Sequence, residues 1–410
     1  LFWMALILFG LLVVAAPWIS DYYHNESLQQ ISYVLGFCLI VRALTVVQVA
    51  HLTKKLRFRE QAFCNIVATL ISGVVAAVLA INNFGYWALV IQQLLESILL
   101  YLCYRQLNKD ISFRANFSFS LLKEHFSFGS KLALSNFLES SGTNLVVNAI
   151  TKKGGVVLTG SYSQISRINE IFIGVMTTTI DKAAFPILVS LESERFRPYL
   201  TQLLTYVLIV LYYFIGLIFI VSKDVIQIAI GSQWIKYDWI LQMIMLCGYG
   251  QLIEVVMRSA LKAQGKSGII LKLAIFKFIC LMGFIFFLSA HGVQGVLLAI
   301  ILASLMSAVA FVFVTSATAD ITKKDLFKQI YPPAISSVIA LFVIYEWQEK
   351  INNLMLWVGI SDEGSLYYSF FKILLVSVVL LFFYIGSLLV VSKGSRDVIV
   401  NFGKRVRAKC

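Results

Sequence analysis

The sequence predicts an all-α, polytopic membrane helix bundle with twelve predicted spans. Three observations carry that expectation. The first is composition. Of 410 residues, 59% are hydrophobic and only 13% charged, with a mean hydropathy of +0.84. A soluble chain has about 25% charged residues, so this one cannot cover a soluble surface. That excludes a soluble multidomain enzyme. It excludes disorder too, which needs low hydrophobicity and high charge. The second observation is that apolar runs near the roughly 20 residues needed to span a bilayer recur along the whole chain. The third is that the basic residues alternate between loops, as membrane topology demands.

The spans follow in order. Residues 1–19 are apolar up to the polar loop holding Asp21, His24 and Glu26. Residues 31–50 are broken only by Arg42 and end at Lys54, Lys55, Arg57 and Arg59. Residues 63–81 and 86–104 flank the short Asn83-Phe84-Gly85 turn. The loop 105–128 is the longest on its side, and its Phe117, Phe119, Leu121, Leu122, Phe126 and Phe128 predict a segment lying along the membrane surface. It divides four spans from eight. Residues 130–148 and 161–186 are more polar and are joined through Lys152 and Lys153. Residues 200–221 follow Arg195 and Arg197. Residues 239–261, 269–289 and 295–316 are strongly apolar. Residues 332–346 form a short span opening at Pro332-Pro333, and 367–391 the last one before a basic tail.

With residue 1 on the cytoplasmic side, 22 basic residues fall in inside loops and 5 in outside loops. The positive-inside rule is met with an even span number, which puts the C-terminus in the cytoplasm. The net charge of +13 is then a loop excess and not a nucleic-acid footprint. Trp18, Trp87, Trp234, Trp239, Trp347 and Trp357 cluster at the outer ends, as interfacial anchors do. Residues 1–19 lack a basic n-region and do not read as a signal peptide; the chain reads as a piece whose start is missing. The Asn25-Glu26-Ser27 sequon matters only in a eukaryotic host.

Ionisable groups at membrane depth are costly and mark function. Arg42, Arg167 and Lys277 lie too deep to reach an interface and predict a water-filled cavity. Glu139, Glu170 and Glu254 are read as their counter-ions or as parts of a proton relay. Arg167 and Glu170 share a helix face at i,i+3, and Glu254 and Arg258 share one at i,i+4. Lys272, Lys372, Arg258 and the Asp181-Lys182 pair lie nearer an interface, where helix-locking pairs or snorkelling explain them. The first five cysteines sit singly in apolar runs, and Cys410 is not at a prenylation spacing. The four histidines lack partners at ligand spacing, and no P-loop is present. No cofactor or metal is expected.

Several stretches are similar to one family of bacterial polysaccharide exporters. They include Asn83-Phe84-Gly85-Tyr86-Trp87-Ala88-Leu89-Val90, Leu56-Arg57-Phe58, and Phe128-Gly129 with Ser135-Asn136. Gly160-Ser161-Tyr162-Ser163, Ala184-Phe185-Pro186-Ile187-Leu188, Gly231-Ser232-Gln233-Trp234 and Arg258-Ser259-Ala260-Leu261-Lys262-Ala263-Gln264-Gly265-Lys266 follow in the family's order. Together they resemble the Wzx-type lipopolysaccharide and colanic-acid (O-antigen and exopolysaccharide) flippases of the MOP exporter superfamily over about residues 1–320.

The resemblance implies two six-helix lobes and an appended pair of helices. On that scheme 1–19 matches the family's third helix, and its first two are lacking. Residues 1–104 are the remainder of the N-terminal lobe, 105–128 a cytoplasmic linker, 129–316 the C-terminal lobe, and 317–410 two appended spans and a tail. It further implies a non-enzymatic transporter in the bacterial inner membrane, working as a monomer. Its partners would be an undecaprenyl-diphosphate-linked oligosaccharide, membrane lipids and the polysaccharide polymerase machinery. Arg167, then Arg42 and Lys277, would meet the diphosphate. Glu139, Glu170 and Glu254 would orient the cations or couple an ion gradient. Asn144 stands where relatives often carry an acid. Three rivals make different predictions: a drug or cation antiporter of the same superfamily, a membrane-embedded polymerase or glycosyltransferase, and a structural scaffold.

Overall fold

A computed structural model describes residues 2–23, 26–108, 119–319, 321–357 and 365–391. His24, Asn25 of the sequon, Lys109 and Arg114 of the linker, and the basic tail with Cys410 lie outside the described residues.

The described residues build thirteen α-helices. They are α1 (Phe2–Tyr23), α2 (Ser27–Lys54), α3 (Phe58–Ile81), α4 (Tyr86–Leu107), α5 (Phe119–Asn169), α6 (Val175–Ser190), α7 (Ser193–Ile220), α8 (Ser222–Ile230), α9 (Asp238–Ala263), α10 (Ser267–Leu288), α11 (Gly292–Thr318), α12 (Lys323–Trp357) and α13 (Leu366–Val391). Ten continuous stretches are long and apolar enough to cross a membrane, so this is a multi-pass membrane protein. Two are too long for one crossing. Phe126–Ser190 has 65 residues and Ser267–Thr318 has 52, about 98 and 78 Å at 1.5 Å per residue against a hydrocarbon core of about 30 Å. The first folds back at Gly155 and the second at the 3-10 turn Ser289–His291. With these two fold-backs the described residues make about twelve passages, close to the expected number.

The fold-back in α5 has a local cause. Gly155 sits at φ 75° and ψ 179°, a region open essentially only to glycine. α9 ends at Gly265 (φ 71°). There the Gly265 amide donates to the Lys262 carbonyl and the Lys266 amide to the Leu261 carbonyl, both at 3.0 Å, which closes the helix by the paired 5→2 and 6→1 bonds of a Schellman cap.

Three boundaries differ from the sequence expectation. Residues 119–128 are the opening turns of α5, so the connection after α4 is shorter than 105–128. The span expected at 161–186 runs from the fold-back to Ser190 and contains a π-helical turn, Glu170–Gly174. α12 passes straight through Pro332-Pro333 instead of starting there; in a bilayer, neighbouring groups can re-satisfy backbone freed by proline.

The chain divides into two compact units, Leu1–Phe119 and Ser120–Cys410. In the first, α2 packs on α1 and α4, and α3 packs on α4. Leu52, Cys64 and Tyr104 make a small buried cluster, and His51 Nδ1 meets Asn108 Oδ1 at 3.1 Å. In the second unit one apolar core runs from α5 to α11. α9 and α11 approach closely at Gly250, where a Cβ would lie 2.6 Å from the Ser304 carbonyl oxygen. Small residues let membrane helices close up in this way. α12 and α13 add a second cluster around Leu217, Ile344, Leu380 and Tyr384. Polar bonds reinforce it. Tyr212 donates to the Tyr249 carbonyl at 2.8 Å, and Tyr384 donates to the Ile209 carbonyl at 2.9 Å.

Candidate functional site

Within the second unit lies a cavity of about 820 Å³. Five elements line it at helical spacing: α5, the π turn, α6, α9 and α10, with α11 closing the apolar end. From α5 come Glu139, Gly142 and Val146, then Ser163 and Arg167; from α9 come Gln251, Glu254, Arg258 and Lys262. Steps of three and four residues place each set on one helix face. Four acids (Glu139, Glu170, Asp181, Glu254) and four bases (Arg167, Arg258, Lys262, Lys277) line it. The lining is therefore charged but balanced.

Ion pairs organise most of these groups. Glu254, on α9, is 5% exposed. It accepts from Arg258 at 2.6 Å, from Lys277 at 2.8 Å and from Ser307 at 3.2 Å. Arg258 also pairs with Glu139 across from α5, and its guanidinium lies over the Phe311 ring. Deeper burial of a carboxylate is tolerable here because three donors satisfy it. Nearby, Asp181 accepts from Lys262 at 2.7 Å and from Ser259 at 2.6 Å.

The structure thus gathers five of the six predicted residues, Arg167, Lys277, Glu139, Glu170 and Glu254, around one cavity. Their pairing partly departs from expectation. Glu254 is the counter-ion of Lys277, but Glu139 serves Arg258. Arg167 and Glu170 are exposed, and their side chains make no hydrogen bond or ion pair among the described residues. Arg42 belongs to the first unit, on α2, where its Nε donates to Ser97 Oγ at 3.3 Å. Asp181 pairs with Lys262 and not with Lys182. Lys372 reaches Asp224 at 3.7 Å, the helix-locking role expected of it.

Arg258, read from the sequence as a helix-locking or snorkelling cation, does lock α9 to α5 through Glu139, and it also lines the cavity. α9 continues to Ala263, so Arg258 stays on the helix and faces inward. Its i,i+4 spacing from Glu254 was the available signal. Lys262 and Asp181 gave no such signal, since they meet only through the packing of α6 on α9. Among the described residues no group of acids, cysteines and histidines could hold a metal ion.

The profile of one protein family, described as "Polysaccharide biosynthesis protein", matches residues 1–238, more than half of the chain. The chain belongs to the polysaccharide biosynthesis protein family. A relative, the teichuronic acid biosynthesis protein TuaB of Bacillus subtilis (strain 168), is 24% identical over 280 residues, covering 65% of this chain. The chain spans 57% of that relative's length.

Solved structures show which fold this family member has. A multidrug resistance MATE family transporter of the MOP superfamily, in an outward-facing conformation, superposes with a TM-score of 0.65 at 14% identity, covering 79% of this chain and 78% of that one. The lipid II flippase MurJ, in an inward closed conformation, gives 0.64 at 15% identity, covering 97% and 82%. A MOP superfamily transporter from Pyrococcus furiosus gives 0.64 at 15% identity, covering 78% and 77%. The fold is that of the MOP transporters, as the local motifs implied.

Proposed function

We propose that this chain moves a lipid-diphosphate-linked oligosaccharide from the cytoplasmic to the periplasmic leaflet during surface polysaccharide synthesis, by alternating access. One observation carries the reading: a polar, charge-lined cavity inside the membrane-spanning unit of a polysaccharide biosynthesis family member. A sugar head needs such a wet interior, because a bilayer core offers it no hydrogen bonds. The roles of a sequence relative, in teichuronic acid biosynthesis, and of a structural neighbour, in lipid II flipping, support the same class.

On this reading Arg167 contacts the diphosphate, its planar fork suiting two phosphate oxygens. It is the cavity cation with no carboxylate already on it among the described residues. Arg42 and Lys277 assist. Glu139, Glu170 and Glu254 orient the cations or couple an ion gradient. The protein is a monomer in the bacterial inner membrane with its C-terminus in the cytoplasm. It performs no bond chemistry and delivers to the polymerase machinery.

The test is to delete the gene, restore it in full, and measure on which leaflet the lipid-linked unit accumulates. Cytoplasmic accumulation relieved by the intact gene supports the reading. Normal flipping without the gene overturns it. The four cavity carboxylates favour one alternative, a cation antiporter of the same fold. It requires Glu170→Gln to be more damaging than Arg167→Gln, whereas a flippase requires the reverse.

A further inference from the structure

Arg258 holds two carboxylates with one nitrogen. Its Nη2 donates to Glu254 and to Glu139, while its Nε is buried with no acceptor among the described residues. The two acids are not equivalent. Glu254 is 5% exposed and fixed by Arg258, Lys277 and Ser307. Glu139 is 34% exposed, and its carboxylate makes that one contact among the described residues. Glu254 shares α9 with Arg258; Glu139 reaches across from α5.

Charge gives the consequence. Arg258 and Lys277 balance Glu139 and Glu254, so the cluster is neutral as it stands. Withdrawing Glu139 leaves one positive charge beside a half-used guanidinium. The side-on edge of that group, Nε with Nη2, fits the two oxygens of a phosphate or a carboxylate. Glu139 now takes one end of that edge with one oxygen.

We propose that Glu139 is an internal stand-in for an acidic group of the transported molecule, and surrenders Arg258 to that group when the molecule enters. The proposal rests on the transport reading of the cavity. The incoming acid is a two-oxygen anion, supplied either by the lipid diphosphate or by a carboxylate on the sugar. Exchange of one anion for another leaves Arg258 paired throughout, so the cation is never bare in a low-dielectric interior. It also frees the first arm of α5 from α9 only when the cavity is filled.

The experiment measures binding of inorganic pyrophosphate and of glucuronate to the purified full chain in nanodiscs. The variants are Glu139→Gln and the double variant Glu254→Gln/Arg258→Gln, which removes one charge of each sign. Glu139→Gln should bind one probe about tenfold more tightly than the unaltered chain, and the double variant should bind that probe more weakly than the unaltered chain. Preference for pyrophosphate assigns the exchange to the diphosphate; preference for glucuronate assigns it to the sugar acid. If Glu139→Gln binds neither probe more tightly, the stand-in role is overturned, and this holds even where the double variant fails to fold. Undiminished binding by a folded double variant overturns it as well. The leaflet assay fails or succeeds independently of these affinities, so loss of the transport reading is told apart from loss of the exchange.

Discussion

At the scale of single residues, the cavity holds charges locked in ion pairs and charges with no ion pair among the described residues. Glu254 belongs to the first kind. Replacing it with Ala strips Lys277 of its carboxylate and leaves Arg258 with Glu139 as its remaining acid, and breaking a buried pair from one side costs about 3–5 kcal/mol. Thermal unfolding of Glu254→Ala in detergent should show that loss as a large drop in midpoint. Arg167 belongs to the second kind, being exposed and without an ion pair among the described residues. Arg167→Gln should leave the midpoint nearly unchanged. It should lower flipping about ten- to a hundredfold, the value of a charge-assisted hydrogen bond of about 1.5–3 kcal/mol. Arg167→Lys should recover only part of the activity, since lysine keeps the charge and loses the fork. Flipping assays on the complemented deletion strain check both.

At the scale of elements, three glycines make three different predictions. Gly155→Ala meets no atom within 4 Å, so its penalty is conformational, about 1–3 kcal/mol, and falls on the α5 fold-back. Gly250→Ala meets the Ser304 backbone and must push α9 from α11, an overpacking penalty of about 1–3 kcal/mol. Gly73→Ala, inside α3 with nothing within 4 Å, should stabilise by about 0.5–1 kcal/mol. Urea or thermal unfolding of the three variants ranks them. The elements themselves were largely legible. Hydropathy gave twelve passages because each must present about 20 apolar residues to lipid. The start of α5 was not legible, since aromatic residues among Ser, Lys and Glu suit a loop and a helix end equally well. Nor was continuity through Pro332-Pro333, which local propensity opposes and the surrounding bundle overrides. In the site, depth alone revealed Arg167, Lys277 and the three glutamates. The place of Arg258 on the cavity wall was obscured because a cation three residues from a span end reads as a helix-locking or snorkelling one. Which way it faces depends on the packing of α9, and sequence does not carry that packing.

At the scale of the molecule, loop charge gives an orientation that labelling can test. Single cysteines introduced at Lys153 and at Lys54, in a cysteine-free background, should react oppositely with an impermeant maleimide added to intact spheroplasts. Lys153 should label from outside and Lys54 only after permeabilisation. Labelling at Lys54 alone would invert the topology. Among the described residues the spans differ in how much of themselves they bury. Between 11% and 22% of each spanning window in the first unit is buried; in the second the share runs from 17% in the stretch Phe126–Ser190 to 67% in the stretch carrying α9. In a bilayer, where apolar surface meets lipid at no penalty, such differences report packing and not hydrophobic stabilisation.

The charge cluster also fixes an order of events during synthesis. Glu254 emerges only 23 positions ahead of Lys277, about 1–5 s at bacterial and eukaryotic elongation rates of about 5–20 residues per second. Lys277 therefore enters the bilayer with its acid already waiting in the preceding helix. Glu139 has no such company. Its partner Arg258 follows 119 positions later, about 6–24 s at the same rates. The nascent α5 hairpin holds Glu139 without its final partner until α9 arrives, so the Glu139–Arg258 pair is a late step in building the cavity.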